Sequence, residues 1–138
     1  MIDRCRQEVR ELHQFFEDWF RKRLPDTSSS FSRVEDVLSD SFKMITPGGD
    51  LINRKPLLDG IRASYGQYLE DGKPDAIWIE EVGARQLTED LCLYVYKEWQ
   101  GDDQHQSGRG RISTALFRNQ PGVPNNVSWI HLHETWLR

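Results

Sequence analysis

The chain has 138 residues, with 18 Lys and Arg against 22 Asp and Glu and a formal charge of −4. That length suits one domain over residues 1–138, and 37% hydrophobic residues, including five Trp, four Tyr and six Phe, supply a core that needs no staple. The acidic balance excludes a general nucleic-acid binder, which needs cationic surface, and the longest mostly apolar run, Leu91 to Tyr96, is far short of the roughly 20 residues of a membrane helix.

The start, charged from Asp3 to Glu11, lacks the apolar centre of a secretory signal, so a soluble, cytoplasmic protein with no nucleic-acid or membrane partner is expected. Ile2, Cys5, Val9, Leu12, Phe16 and Trp19 recur at steps of three and four, which predicts a long amphipathic helix ending at Pro25. Ser32 and Glu35 have the spacing of a capping box for a short second helix carrying Val34, Val37 and Leu38 and stopping near Asp40. Residues 42–46 then read as a strand, Pro47 to Asp50 as a turn, and Leu51-Ile52 as a short return. A third helix follows, capped by Asn53, with Leu57, Ile61, Tyr65 and Tyr68 along one face and Gly72 and Pro74 closing it.

From there the period changes to two. Strands are expected at 75–85, 91–100, 109–118 and 127–137, forming an antiparallel meander, so the class is α+β with helices covering one face of a curved sheet. Leu91, Leu93, Val95 and Trp99 occupy one face of the second of these strands and Cys92, Tyr94 and Tyr96 the other. Two apolar faces call for two burial partners, and a homodimer through the outer face is the simplest second one. Cys5 and Cys92 read as two buried thiols, neither with another thiol nearby in sequence. Phosphate-loop, dinucleotide-binding, G-x-S-x-G and H-E-x-x-H patterns do not occur.

The order of elements, with the phrases Phe42 to Gly49, Arg54 to Leu58, Gly110 to Arg118 and Trp129 to Glu134, resembles the nuclear transport factor 2-like superfamily. That superfamily holds steroid delta-isomerases, scytalone dehydratases and polyketide cyclase-like proteins. The resemblance implies a cone-shaped antiparallel sheet wrapped on a long N-terminal helix, also called cystatin-like, with a pocket at the wide end and frequent dimerisation. It implies no single chemistry. Where the steroid isomerases carry their catalytic carboxylate, just before the proline of the first hairpin, this chain has Thr46, and the segment Ile112 to Ala115 offers no acid. The isomerase reading is discounted accordingly. Asp40, the nearest carboxylate, reads as a helix-end residue.

Strand alternation puts His131 and His133 on one face with Trp129, Thr135 and Leu137, and Glu134 on the opposite one. By the resemblance, the face of Trp129, His131 and His133 lines the cone. Imidazoles there suit proton transfer or ligand contact. As a metal site the pair lacks a third ligand, which would have to come from His13, Asp40 or Glu134, so no metal and no cofactor is expected. His13, Tyr65, Tyr68 and Arg111 complete the pocket candidates. Arg109 and Arg111 share a parity that, if inward, suits a carboxylate or phosphate ligand, and His105 falls in a solvated loop. The leading expectation is a protein that binds a small, partly apolar molecule, with any catalysis being cofactor-independent acid–base chemistry. The alternative is a non-catalytic dimeric assembly or partner-binding module.

Overall fold

The computed structural model describes residues 1–138. Its long helix α1 (Ile2–Phe20) buries Cys5, Val9, Leu12, Phe15 and Trp19, the stripe that the spacing set out. Trp19 anchors the end of this helix: its indole N–H donates to the Ile61 carbonyl at 2.9 Å and its ring lies 5.1 Å from Phe31. Helix α2 (Ser28–Glu35) begins five residues earlier than the capping box predicts. Thr27 is the cap, its hydroxyl accepting from the Ser30 amide at 3.1 Å, while Ser32 lies inside the helix and donates to the Ser29 carbonyl. Pro25 and the serine run offered competing starts, and the first extended residue with a free hydroxyl took the role.

Strand β1 (Leu38–Ile45) consequently starts earlier than expected and includes Asp40, which is exposed in a strand rather than at a helix end. A tight turn, with Gly49 at φ 92° donating to the Thr46 carbonyl, leads to β2 (Leu51–Asn53). Helix α3 (Arg54–Ala63) is shorter than its apolar spacing suggests: Gly66 at φ 78° breaks it, and Tyr68 sits in a separate 3-10 turn at Gln67–Leu69. The meander then follows as β3 (Ala76–Gln86), β4 (Leu91–Gly101), β5 (Arg109–Asn119) and β6 (Val127–Trp136), within a residue or two of the expected bounds.

The sheet order is β2-β1-β6-β5-β4-β3. Every neighbouring pair is antiparallel except β1 and β6, which run parallel, so the sheet is mixed where an antiparallel one was expected. This pairing joins opposite ends of the chain and has no turn signature to announce it. Helix α1 lies across the concave face, where Cys92, Tyr94, Tyr96, Ala115, Phe117 and Trp129 meet it in one apolar core. The two thiols, remote in sequence, come together in that core, and burial, with the adjoining Cys92 thiol, pushes Cys5 up to about 12.

The register also shifts in β1 between Leu38 and Lys43, and two bulges in the meander decide which of its side chains face inward. In β3 one interrupts the ladder between Glu81 and Gly83. In β6 the register passes from Phe117 opposite Trp129 to Leu116 opposite His131, so Ile130 is the extra residue. An inserted residue reverses the alternation beyond it.

Candidate functional site

The bulge at Ile130 corrects the expected parity. Trp129 faces the core on one side of it, and beyond it Leu132 and Glu134 face inward, while His131 and His133 point to the outer face, opposite Leu116 and Thr114. His133 is exposed. The two histidines do share a face, but it is not that of Trp129.

A cavity of about 140 Å³ lies between α1, α3, β1 and the concave side of β4 to β6, and 13 of its 18 lining residues are hydrophobic. Phe16 and Phe20 from α1, Phe42 and Met44 from β1, and Trp129 and Leu132 from β6 form much of its wall. Its polar end is written in the strand register. Tyr96, Ser113 and Glu134 are successive cross-strand partners on β4, β5 and β6, and Glu98, Arg111 and Trp136 form the next row. Side chains in such rows share one face of the sheet.

Arg111 stands between two buried carboxylates. Its guanidinium donates to Glu98 Oε2 at 2.7 Å, and its Nε lies 3.1 Å from Glu134 Oε2. The other Glu98 oxygen lies 2.9 Å from His13 Nε2, and Gln100 donates to Oε2 at 2.6 Å. His13 Nδ1 donates to the Val9 carbonyl at 2.7 Å, because a carbonyl can only accept. His13 Nε2 is therefore the ring nitrogen that faces Glu98. Burial works to raise Glu98, but the His13 and Arg111 charges and the Gln100 hydrogen bond outweigh it and hold the carboxyl down to about 2.

Glu134 goes the other way. Burial foremost, and the Glu98 carboxylate, push it up to about 7 against the pull of Arg111. Its Oε2 accepts from the Ser113 hydroxyl at 3.2 Å, whereas Oε1 has no protein partner; nor does the hydroxyl of Tyr96, which burial and the nearby Glu134 and Glu98 keep protonated. These two unpaired atoms belong to side chains that are 2% and 0% exposed and that line an apolar cavity.

Of the residues singled out in the sequence, His13, Arg111 and Trp129 line this cavity. Trp129 also donates its indole hydrogen to buried Glu8 at 3.0 Å. Tyr65 does not line it: its hydroxyl donates to the Leu24 carbonyl at 2.6 Å and its ring packs on Trp19 at 4.6 Å. Tyr68 is buried behind Phe20, 5.0 Å between ring centroids, and burial raises it well above the usual phenol range. Arg109 does not line the cavity either: it is exposed and lies 3.5 Å over the Trp136 ring. His105 is exposed, as expected of its loop, and stacks on Trp78 at 4.5 Å. Tyr96, Glu98 and Glu134 were not selected as site residues. Their signal was present in part: Glu98 follows Cys92, Tyr94 and Tyr96 at the same parity, a charge at the end of an otherwise buried row.

The helix-wrapped, curved mixed sheet with a cavity at its concave side is a nuclear transport factor 2-like fold. A solved protein of that fold and of unknown function from Pseudomonas aeruginosa is 22% identical, with a TM-score of 0.75, covering 98% of this chain and 99% of its own. The CaMKII hub of S. rosetta is 8% identical with a TM-score of 0.55, over 81% of this chain and 83% of its own. Within the fold, residues 5–138 match the family described as sucrose-6-phosphate phosphohydrolase C-terminal, and the chain belongs to that family. Sucrose-phosphatase 1 of Nicotiana tabacum is 26% identical over 134 residues, which are 95% of this chain; the chain spans 30% of that relative's length.

Proposed function

We propose that residues 1–138 form one small-molecule-binding domain whose cone takes up a compact, mostly apolar, uncharged molecule. The observation that carries this reading is the cavity itself: 13 of its 18 lining residues are hydrophobic, and Tyr96, Glu98, Arg111 and Glu134 gather at one end of it.

The name of the tobacco relative suggests a sugar phosphate, and the cavity speaks against one. About 140 Å³ is well below the roughly 300 Å³ at which pockets for drug-sized ligands begin. The single guanidinium in the cavity is already committed to two carboxylates, so a phosphate would meet no free cation. Catalysis, in this reading, is proton transfer without a cofactor, of isomerase, dehydratase or cyclase type. Glu134 exchanges its proton near neutral pH, the range in which a general acid or base works best, and Tyr96 donates a hydrogen bond beside it.

A second reading, assembly through the outer sheet face, is favoured by one feature. Leu93 and Val95 of β4 and Ile112 and Leu116 of β5 are only half-buried although they form a contiguous apolar strip. No helix is long and apolar enough to cross a membrane, and two unpaired buried thiols support a reducing, cytoplasmic setting. Sedimentation velocity of the parent chain and of a Leu93→Glu, Leu116→Glu variant tests the assembly: a dimer that the variant dissolves supports it, and a monomeric parent removes it. Thermal-shift screening with small uncharged ring compounds tests the pocket. Stabilisation that is lost when Leu132→Trp fills the cavity supports ligand binding there, and no response from any compound would remove the reading.

A further inference from the structure

The outer face of the sheet carries two tryptophans that neither the cone nor the apolar strip uses. Trp78 of β3 and Trp99 of β4 are direct cross-strand partners, and Trp99 shares the parity of Leu93 and Val95, so both indoles lie on the outer side. Glycines clear the space beneath them. The six-membered ring of Trp78 reaches over Gly101 and Gly108, where an added Cβ would come within 2.8 and 3.0 Å of it. That of Trp99 covers Gly110, its partner on β5, where the distance would be 2.5 Å. Only glycine lets the backbone approach a ring so closely. One face of Trp78 is taken by His105, which stacks on it at 4.5 Å and 7° from parallel. Trp99 carries no such cover. It is half-buried and lines an open groove of about 510 Å³ together with Trp78, Glu80, His105, Gln106 and Ser107.

The polar groups beside the indoles select the ligand. Glu80 and Lys97 are cross-strand partners in the next row of the same face, and their charged ends lie 3.7 Å apart, too far for a hydrogen bond. A group that only accepts therefore stands beside one that only donates, and both remain free to bond. Two neighbouring hydroxyls, each able to donate and accept, match that pair. A cation on the indole would meet Lys97, and an anion would meet Glu80. A purely aromatic ligand would use the ring and leave the polar pair unserved. A sugar ring uses both: its faces carry C–H groups, which the negative face of an indole attracts, and its edge carries hydroxyls. The groove falls within the roughly 300–1,000 Å³ of small-molecule sites, and Gln106 and Ser107 add an amide and a hydroxyl to its lining.

We infer that Trp99 is the floor of a sugar-binding site on the outer face of the sheet: a pyranose stacks by its C–H face on the indole, with two adjacent hydroxyls bonded to Glu80 and Lys97. This site lies on the other side of the sheet from the cone and is independent of what the cone takes up.

The test is N–H NMR of the whole chain titrated with cellobiose, whose rings have flat C–H faces, and with sorbitol, an open-chain polyol with no ring face. The indole N–H signals of the tryptophans report the location. Cellobiose should shift the Trp99 signal and leave those of buried Trp19 and Trp129 in place, and sorbitol should shift none. Trp99→Ala should weaken cellobiose about tenfold or more. Glu80→Gln, at an exposed side chain that the fold does not depend on, should weaken it about three- to tenfold. Leu132→Trp, which fills the cone, should leave it unchanged, so the two sites fail or stand separately. No shift at Trp99, an equal response to sorbitol, or full affinity in Trp99→Ala overturns the sugar site. Cellobiose binding that appears only in the Leu93→Glu, Leu116→Glu variant overturns it as well, because a second copy would then be what covers the indole.

Discussion

Glu134→Gln tests the electrostatics of the cavity without any ligand. The substitution keeps the shape of the side chain and an oxygen for the Ser113 hydroxyl, and removes the charge. Folding pushes this carboxyl from 4.5 up to about 7, so ionising it in the folded protein costs roughly 3 kcal/mol at about 1.4 kcal/mol per pH unit. The sign follows from the direction. A group whose pKa is raised by folding contributes fully below its unfolded value and loses that contribution as pH rises through the folded one. The parent chain should therefore lose about 3 kcal/mol from this group between pH 4.5 and a little above 7, and the glutamine variant should not. Glu98, held at about 2, acts in the other direction and outside this window: its contribution is present above the ordinary carboxyl range and lost only as pH falls towards 2. Urea unfolding of both chains at about pH 5 and about pH 8.5 gives the comparison, with midpoints read at matched slopes. The variant's stability relative to the parent should rise by about 3 kcal/mol from the lower to the higher pH. A relative stability that is the same at both, within about 1 kcal/mol, would refute the reasoning, because Glu134 would then have to be ionised as easily in the folded chain as in the unfolded one.

Two other substitutions test what holds the cone in place. Glu8 is fully buried on α1 and accepts from both arms of Arg33, from Asn125 and from the Trp129 indole. Glu8→Ala leaves those donors facing a void and should cost about 3–5 kcal/mol in urea unfolding, with Glu8→Gln losing less; a loss below about 1 kcal/mol would make the cluster energetically idle. Thr27→Ala should cost about 1 kcal/mol and Ser32→Ala within about 0.5 kcal/mol, and the reverse order would restore the cap to Ser32.

Much of the architecture was legible along the chain because it is local. The apolar stripe from Cys5 to Trp19 needs one face of one helix to be buried, and that is what α1 does. Four runs of period two, separated by polar turns, became β3 to β6 at nearly their expected bounds, since strand alternation and turn chemistry both act over a few residues. The capping of α2 was missed for an equally local reason: several hydroxyls in the run from Thr27 to Ser32 can cap a helix, and spacing to Glu35 favoured the wrong one.

The candidate site divides along the same line. Arg111, His13 and Trp129 were recognised as residues whose types suit a pocket wall, and the fold brings them to one cavity. His131 and His133 were chosen on parity, and parity holds only while a ladder is unbroken; the extra residue at Ile130 turned both outward and Glu134 inward. The bulge lies where β6 runs between β5 and the parallel strand β1, pairings to distant parts of the chain that alternation within β6 does not reveal. The sequence by itself determined an acidic, aromatic-rich α+β chain with an amphipathic first helix and a meander, because composition and periodicity fix what must be buried. The tertiary structure alone decided which polar groups share that burial. Glu98 and Glu134 lie far apart in sequence on strands whose register sets them on either side of Arg111; burial raises both carboxyls, and the His13 and Arg111 charges with the Gln100 hydrogen bond hold Glu98 near 2 while Glu134 rises to about 7.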